Sequence, residues 1–392
     1  MKAPVRREAP GKLLIAGEYA VLTPGRPALA MAVDRYVTVT AEPAREAEVE
    51  LATDLVDHPV ALYRGRDGLR PHQPRDAAQV RGPLAHLVAV VETTDRLRAE
   101  SGLGLVSVRL TVRSDLHENG TKLGLGSSGA VTVAAVHALT DFTGACLSAE
   151  TRFRLALLAT VTLDARTSGA DLAAGTWGGW VRYSPPDRQA LRRLLHRDGL
   201  LATLRACWPG LSLHALPPPS TVSPHAGWTG RPASTTAKVG DLQHSAWWQS
   251  DAHYRFCARS TRLVDELTNA LDHDDPVAVR AAVDAARGLL LGLDQQTGLG
   301  IFTPALTALC DAAEAAGGAG KPSGAGGGDC GIAFLPTTGD PDDLHGRWAA
   351  AGITSLHLSA APPQLPSPPS RIGPRPDSTP PASAAPAPRT AP

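Results

Sequence analysis

Lys122-Leu-Gly124-Leu-Gly126-Ser127-Ser128-Gly129-Ala130 is the stretch on which the reading of this chain turns. Its three glycines let the backbone approach an anion closely. Ser127 and Ser128 open an Ala/Val-rich run with helical character that continues to about Leu139. The free N–H groups and positive dipole end of such a helix suit phosphate. The serine hydroxyls can bond a phosphate oxygen or ligate magnesium, and Lys122 adds a point charge beside them. G-x-G-x-x-G is formally also a dinucleotide fingerprint, but that fold runs a strand straight into the glycines and places an acid about 20 residues on. Here Leu105–Val112 alternates as a half-buried strand, and a polar loop, Ser114–Lys122, separates it from the glycines. Asp141 and Glu150 fall near helix boundaries instead of at a second strand. No GxxxxGK[ST] occurs, since Gly320-Lys321 is followed by Pro322, so the chain is not a P-loop protein. A serine-capped helix start explains one such loop in isolation about equally well.

Two further segments shift that balance. Lys321-Pro-Ser323-Gly324-Ala325-Gly326-Gly-Gly-Asp329 is a second glycine-rich loop, nearly 200 residues later. It leads directly into the apolar Ile332–Leu335, which a flexible linker does not do. Ala9-Pro-Gly-Lys12-Leu-Leu-Ile-Ala-Gly-Glu18-Tyr19 sets polar groups at both ends of one buried-looking strand.

Around these segments the chain reads as an ordinary globular enzyme. Its 392 residues suffice for two domains sharing a cleft, with 43% hydrophobic and 19% charged residues. Lys plus Arg equal Asp plus Glu at 38 each, so no overall basic field exists to hold nucleic acid or an anionic membrane. Five scattered cysteines without a CxxC pair suggest reduced thiols in a cytoplasm and neither a disulfide framework nor a zinc site. MKAPVRREAP has no apolar core for a signal peptide, and the most apolar run, Leu155–Leu163, is too short to span a bilayer.

Strands are expected at Lys12–Ala16, Arg35–Thr40, Trp180–Tyr183, Leu211–Leu216 and Ile332–Leu335, with loops and edge structure over 41–75 and loop over 190–236. Helices are expected at 83–100, Glu150–Asp164 (capped by Ser148), Leu242–Leu271, Pro276–Leu293 and Pro304–Ala316. Gly317–Gly331 reads as loop. From about Ala361 the composition turns to Pro, Ser and Ala, and a disordered tail is expected there.

In order and approximate spacing the three segments resemble the signature motifs of the GHMP kinases (galactokinase, homoserine kinase, mevalonate kinase, phosphomevalonate kinase), over about residues 9–360. Ser168–Ala174 and Gly227-Trp-Thr-Gly-Arg-Pro-Ala-Ser-Thr235 extend the match. Glu18-Tyr19, where mevalonate kinases usually carry Glu-His, and Gly227-Trp228 make the chain look most like the bacterial phosphomevalonate kinase branch. That resemblance implies a two-domain fold. An N-terminal α/β ATP-binding domain (1–190) precedes a ferredoxin-like C-terminal domain (191–360) and the tail (361–392). It implies transfer of the ATP γ-phosphoryl group to (R)-5-phosphomevalonate, with Mg2+.

By the same resemblance Lys122, Gly124, Gly126, Ser127, Ser128, Gly129 and Ala130 wrap the ATP phosphates, with Ser128 approaching magnesium. Lys12, Asp171 and Arg166, the last at a position usually Lys, sit by the transferring group. Lys321, Ser323, Gly324, Ala325, Gly326 and Asp329 close over the ligands, and Ser234, Thr235 and Thr236 line the acceptor side. The acceptor is a phosphate monoester with a second pKa near 6, so its attacking oxygen is largely anionic at neutral pH without a strong base. Asp171 is then expected chiefly to position Lys12 and Arg166. The competing readings are a mevalonate or homoserine kinase, a diphosphomevalonate decarboxylase, and a non-catalytic protein of the same fold. The last is expected to have lost Lys12, Ser128 or Asp171, and all three are present.

Overall fold

The computed structural model describes residues 2–118 and 120–364. Fourteen strands lie among these residues: β1 (Val5–Ala16), β2 (Ala28–Glu42), β3 (Val49–Thr53), β4 (Val60–Gly65), β5 (Gly68–Pro71), β6 (Val108–Ser114), β7 (His117–Glu118), β8 (Thr121–Lys122), β9 (Trp180–Ser184), β10 (Ser212–Leu216), β11 (Val222–Trp228), β12 (Ala319–Pro322), β13 (Cys330–Pro336) and β14 (Thr354–Leu356). The large sheet runs β10-β9-β2-β6-β3-β4-β5, with β1 also paired to β2. Its pairs are antiparallel except β3 with β6. Ala28–Val33 of β2 are all buried, and beyond them Val37, Val39 and Ala41 alternate inward. The one-sided half of β2 meets solvent on its other face.

The glycine-loop helix, Ser127–Thr143, lies on this sheet. Helices Ala85–Glu100, Ala149–Leu163 and Ala170–Trp177 pack around it. Its own sequence is nearly all small or β-branched, which lets it sit in the middle of a helical layer with eleven residues buried. The second sheet, β12-β13-β11-β14, is antiparallel and backed by helices Pro276–Thr297, Pro304–Ala315 and Pro341–Ala350, while the long helix Asp251–Asp272 packs on Pro276–Thr297 and reaches β1 and β2 of the first unit. Read in chain order, β11-helices-β12-β13-helix-β14 with this strand order is the ferredoxin-like βαββαβ arrangement.

Several expectations are corrected. Residues 41–75, expected as loops and edge structure, hold the strands β3, β4 and β5 at the β5 end of the large sheet; Val49, Leu51, Val60, Leu62 and Leu69 are buried, and so is the one charge of β3, Glu50. Besides the strand expected at Leu211–Leu216 (β10), the stretch 190–236 read as loop holds most of helix Arg188–Asp198, helix Leu200–Arg205, strand β11 and the start of a further helix at Thr235. Strand β10 pairs with β9, so the large sheet draws on the chain to residue 216, past the boundary expected at 190. The predicted helix Leu242–Leu271 is two helices, Thr235–His244 and Asp251–Asp272, because Ser250 caps the second and Gln249 takes a positive φ of 63°. Part of the loop expected at 317–331 is strand β12.

At the start of the expected tail, residues 359–364 fold back on the first unit. Ala361 N–H donates to Ala32 O (2.9 Å), Gly179 N–H to Ala361 O (2.9 Å) and Gln364 N–H to Trp177 O (3.0 Å). Residues 365–392 lie outside the described residues.

The two units are tied at the end of β1. Lys321 (0% exposed) makes an ion pair with Glu18 (3% exposed) and also donates to Pro322 O (2.8 Å). Beside it Leu14 N–H donates to Ser323 Oγ (3.0 Å), and that hydroxyl donates back to Leu14 O (3.1 Å). Breaking a buried pair leaves one charge uncompensated. Lys321→Met is expected to lower the unfolding free energy in urea by about 3–5 kcal/mol. Adding Glu18→Gln is expected to recover part of that loss, because the double variant buries no lone charge.

Candidate active site

A cleft of about 490 Å³ lies between the units. The first unit contributes Lys12 and Leu14 of β1, the Glu18–Leu22 turn, His86, Lys122, the glycine loop, and residues 160–172. The second contributes Ala233, Ser234, Thr235, Thr236, Val239, Gly324, Ala325 and Asp329.

The glycines place the charged side chains. At Gly129 an added Cβ would overlap the Asp171 carboxylate, and at Gly124 it would overlap Asp329. At Gly126 it would lie 3.1 Å from Lys12 Cγ and 3.4 Å from Asp171 Cβ. Lys12 and Asp171 therefore sit side by side on the glycine backbone, Lys12 from β1 and Asp171 from the first turn of its own helix. Lys12 N–H donates to Leu125 O (2.8 Å), which sets the strand against the loop. Across the cleft, Gly324 stands with its missing Cβ position 3.9 Å from Lys12 Nζ.

Of the sequence-predicted residues, Lys12, Lys122, Gly124, Gly126, Ser127, Ser128, Gly129, Arg166, Asp171, Ser234, Thr235, Thr236, Gly324, Ala325 and Asp329 line the cleft. Four do not. Ala130 is buried in the helix behind the loop. Lys321 is spent on Glu18 and Ser323 on the backbone of Leu14, so both act behind the wall. Gly326 packs against Ile301.

Arg166 is not held by Asp171, contrary to expectation. Asp164, two residues before it, accepts from its Nε (2.8 Å), its Nη2 (2.8 Å) and its backbone N–H (2.9 Å). Burial works to raise the Asp164 carboxyl, but the hydrogen bonds from Arg166 outweigh it and hold it below the usual carboxylate range. Burial keeps Asp329 above that range; its Oδ1 accepts from Ala233 N–H (3.1 Å), fixing the segment that carries Ser234.

His86 was missed, because one histidine at a helix start carries no sequence signal of its own. Its Nδ1 lies 3.1 Å from Thr132 Oγ1, and that hydroxyl already donates to Ser128 O (2.8 Å). Nδ1 is therefore the donor. Burial lowers the His86 pKa and so favours the neutral ring beside the loop. Tyr19 was read as a branch marker only. Its φ of 61° with a ψ of −42° is a sparsely populated conformation that costs roughly 1–3 kcal/mol, and it anchors the second glycine loop by donating to Ala325 O (2.6 Å).

Family models for the GHMP kinase N-terminal domain and C-terminal domain match residues 87–179 and 267–354. The chain is 49% identical, over 91% of its length and 96% of the other's, to a phosphomevalonate kinase from Streptomyces sp. (strain CL190). It belongs to the phosphomevalonate kinase family of the GHMP kinases. Among solved structures, the Streptococcus pneumoniae phosphomevalonate kinase bound to phosphomevalonate and AMPPNP superposes with a TM-score of 0.78 at 27% identity, covering 91% of this chain and 99% of that one. The Lin0012 protein of Listeria innocua gives 0.83 at 30% identity, covering 92% and 99%. In this chain both glycine loops line the one cleft, where Gly124 of the first meets Asp329 of the second.

Gly129→Ala is expected to fold, since alanine favours helix, yet to lower kcat by about 100-fold by displacing Asp171. A kcat within a few-fold of wild type, with an unchanged melting temperature, would mean that the place of this carboxylate is unimportant.

Proposed function

We propose that the chain is an ATP-dependent kinase that transfers the γ-phosphoryl group to (R)-5-phosphomevalonate, giving 5-diphosphomevalonate and ADP. The observation that carries this reading is Lys12 and Asp171 packed side by side over Gly126 and Gly129, at the start of a phosphate-suited helix. The triphosphate lies along Lys122, Gly124, Gly126, Ser127, Ser128 and Gly129, with His86 beside it. The acceptor lies toward Tyr19, Arg166 and Ser234–Thr236. Gly240 supports that division, because the helix carrying it faces Arg166, with Nη1 3.4 Å from its missing Cβ position.

Phosphoryl transfer asks the protein for positioning and for charge stabilisation. Lys12 reaches both glycine loops, at Gly126 of the first and, 3.9 Å from its missing Cβ position, at Gly324 of the second, and it offsets charge on the group in transit. Asp171 holds Lys12 in register. Arg166 presents its remaining guanidinium edge to the acceptor phosphate while Asp164 fixes the other. The charges already on the cleft wall, Lys12, Lys122 and Arg166 against Asp164, Asp171 and Asp329, nearly cancel, so two polyanions need a further cation. The donor set fits magnesium. It offers a hydroxyl from Ser128, and among the described residues no cluster of three His, Cys, Asp or Glu forms a cage. Mg2+ characteristically takes few protein oxygens and completes its shell with phosphates and water. When bound, it would neutralise charge on the β- and γ-phosphates.

No helix among the described residues is long and apolar enough to cross a membrane. The free cysteines support a cytoplasmic setting.

Purified protein with ATP and magnesium is expected to release ADP with 5-phosphomevalonate and not with mevalonate, homoserine or diphosphomevalonate. Turnover with one of the others moves the protein to another branch of the same fold. Because the attacking oxygen belongs to a phosphate monoester, kcat/KM is expected to rise with pH through a pKa near 6 and then level. Asp171→Asn is expected to keep that limb while lowering its plateau. Loss of the limb in this variant would make Asp171 the base.

A further inference from the structure

Arg188 is buried to 5% exposure; the charges of Asp187 and Asp164 act on it, but burial outweighs them, and neither of its hydrogen-bond partners is a carboxylate. Its Nε donates to Ala165 O (3.1 Å) and its Nη2 to Leu22 O (2.5 Å), while its Nη1 has no partner among the described residues. It is also the first residue of the helix Arg188–Asp198, where the positive end of the helix dipole opposes a cation. A guanidinium out of water, at the wrong end of a helix and incompletely paired, is a costly feature for a fold to carry. The feature therefore calls for a role beyond filling space.

The two carbonyls it joins identify that role. Leu22 ends the turn Ala20–Leu22, which follows the left-handed Tyr19 and lines the cleft with Glu18, Tyr19 and Val21. Ala165 lies within the segment that lines it with Asp164, Arg166, Thr167 and Ser168. These segments come from distant parts of the sequence and form adjacent walls of the end assigned above to the acceptor. Tyr183 pins the far end of the second wall by donating to Ser168 O (2.9 Å). Among the described residues, Arg188 donates no hydrogen bond to the phosphate-loop end.

We infer that Arg188 is a positioning residue for the acceptor: by binding Ala165 O and Leu22 O together from behind, it sets the spacing between Tyr19 and Arg166. This inference rests on the proposed acceptor end of the cleft. A planar guanidinium donates to both carbonyls at once in fixed directions, which the single ammonium of lysine does not reproduce.

The test is steady-state kinetics of the full-length enzyme, with 5-phosphomevalonate and ATP varied separately. Arg188→Met is expected to raise KM for 5-phosphomevalonate by about tenfold or more while KM for ATP stays within about twofold. Arg188→Lys is expected to fall between that variant and wild type. If the methionine protein does not fold, the lysine protein, which keeps the charge and most of the length, carries the test with the same split at smaller amplitude. A rise of both KM values by one factor, or a change in neither, overturns the inference and reduces Arg188 to a general structural residue. Wild-type enzyme that fails to turn over 5-phosphomevalonate would instead sink the functional reading on which it stands.

Discussion

The buried pair between Glu18 and Lys321 is the constraint on which the rest of this structure depends. It joins the end of the first strand to a strand of the second unit, in a place that excludes water from both charges. Ion pairs in such places stabilise little in net terms, because desolvation offsets most of their attraction. What this one supplies is registration. With Lys321 locked to Glu18 and the Ser323 hydroxyl locked to both backbone groups of Leu14, the second glycine loop starts from a fixed point. Tyr19 then holds Ala325 at the loop's crest. The cleft has its width because three consecutive contacts along β1 and its turn set the second unit in place.

On that frame the charges are arranged to be close without being free. Asp164 fixes Arg166, Ala233 N–H fixes Asp329, and the glycine backbones fix Lys12 against Asp171. Preorganised charges of this kind need little rearrangement when a polyanion arrives. His86 continues the pattern: a hydroxyl that is itself bonded to the phosphate-loop backbone holds its ring. The enzyme's formal neutrality is thus consistent with an anionic substrate pair. With no net field over the whole chain, the charge at the cleft is set by a handful of local groups.

The parts of the fold legible in the sequence were those with local periodicity or a local backbone demand. Gly124, Gly126 and Gly129 announced a close approach, and the cleft floor is built on them. The helix caps at Ser148 and the long helices after Asp251 followed from side-chain chemistry within a few residues. Strands β3 to β5, which complete the β5 end of the large sheet, were foreseen only as edge structure and loops, because each is short and its few apolar residues are interrupted by charges. Strand β10 was recognised as a strand but placed in the wrong unit, since its alternation is the same whichever sheet receives it.

What the sequence by itself determined is the set of chemical groups and the family they belong to: the three glycine-bearing motifs, Lys12, Ser128, Asp171 and their order. These are read locally, because a glycine's freedom, a helix dipole and a lysine's charge do not depend on distant residues. Only the tertiary structure decided which of those groups line the cleft and which stand behind its wall. Lys321 and Ser323 look like ligand-binding residues in one dimension and prove to be the clasp between the units, while Asp164, not Asp171, claims Arg166. The reason is physical: a hydrogen bond or ion pair is decided by distances of about 3 Å in space, which sequence separation does not encode.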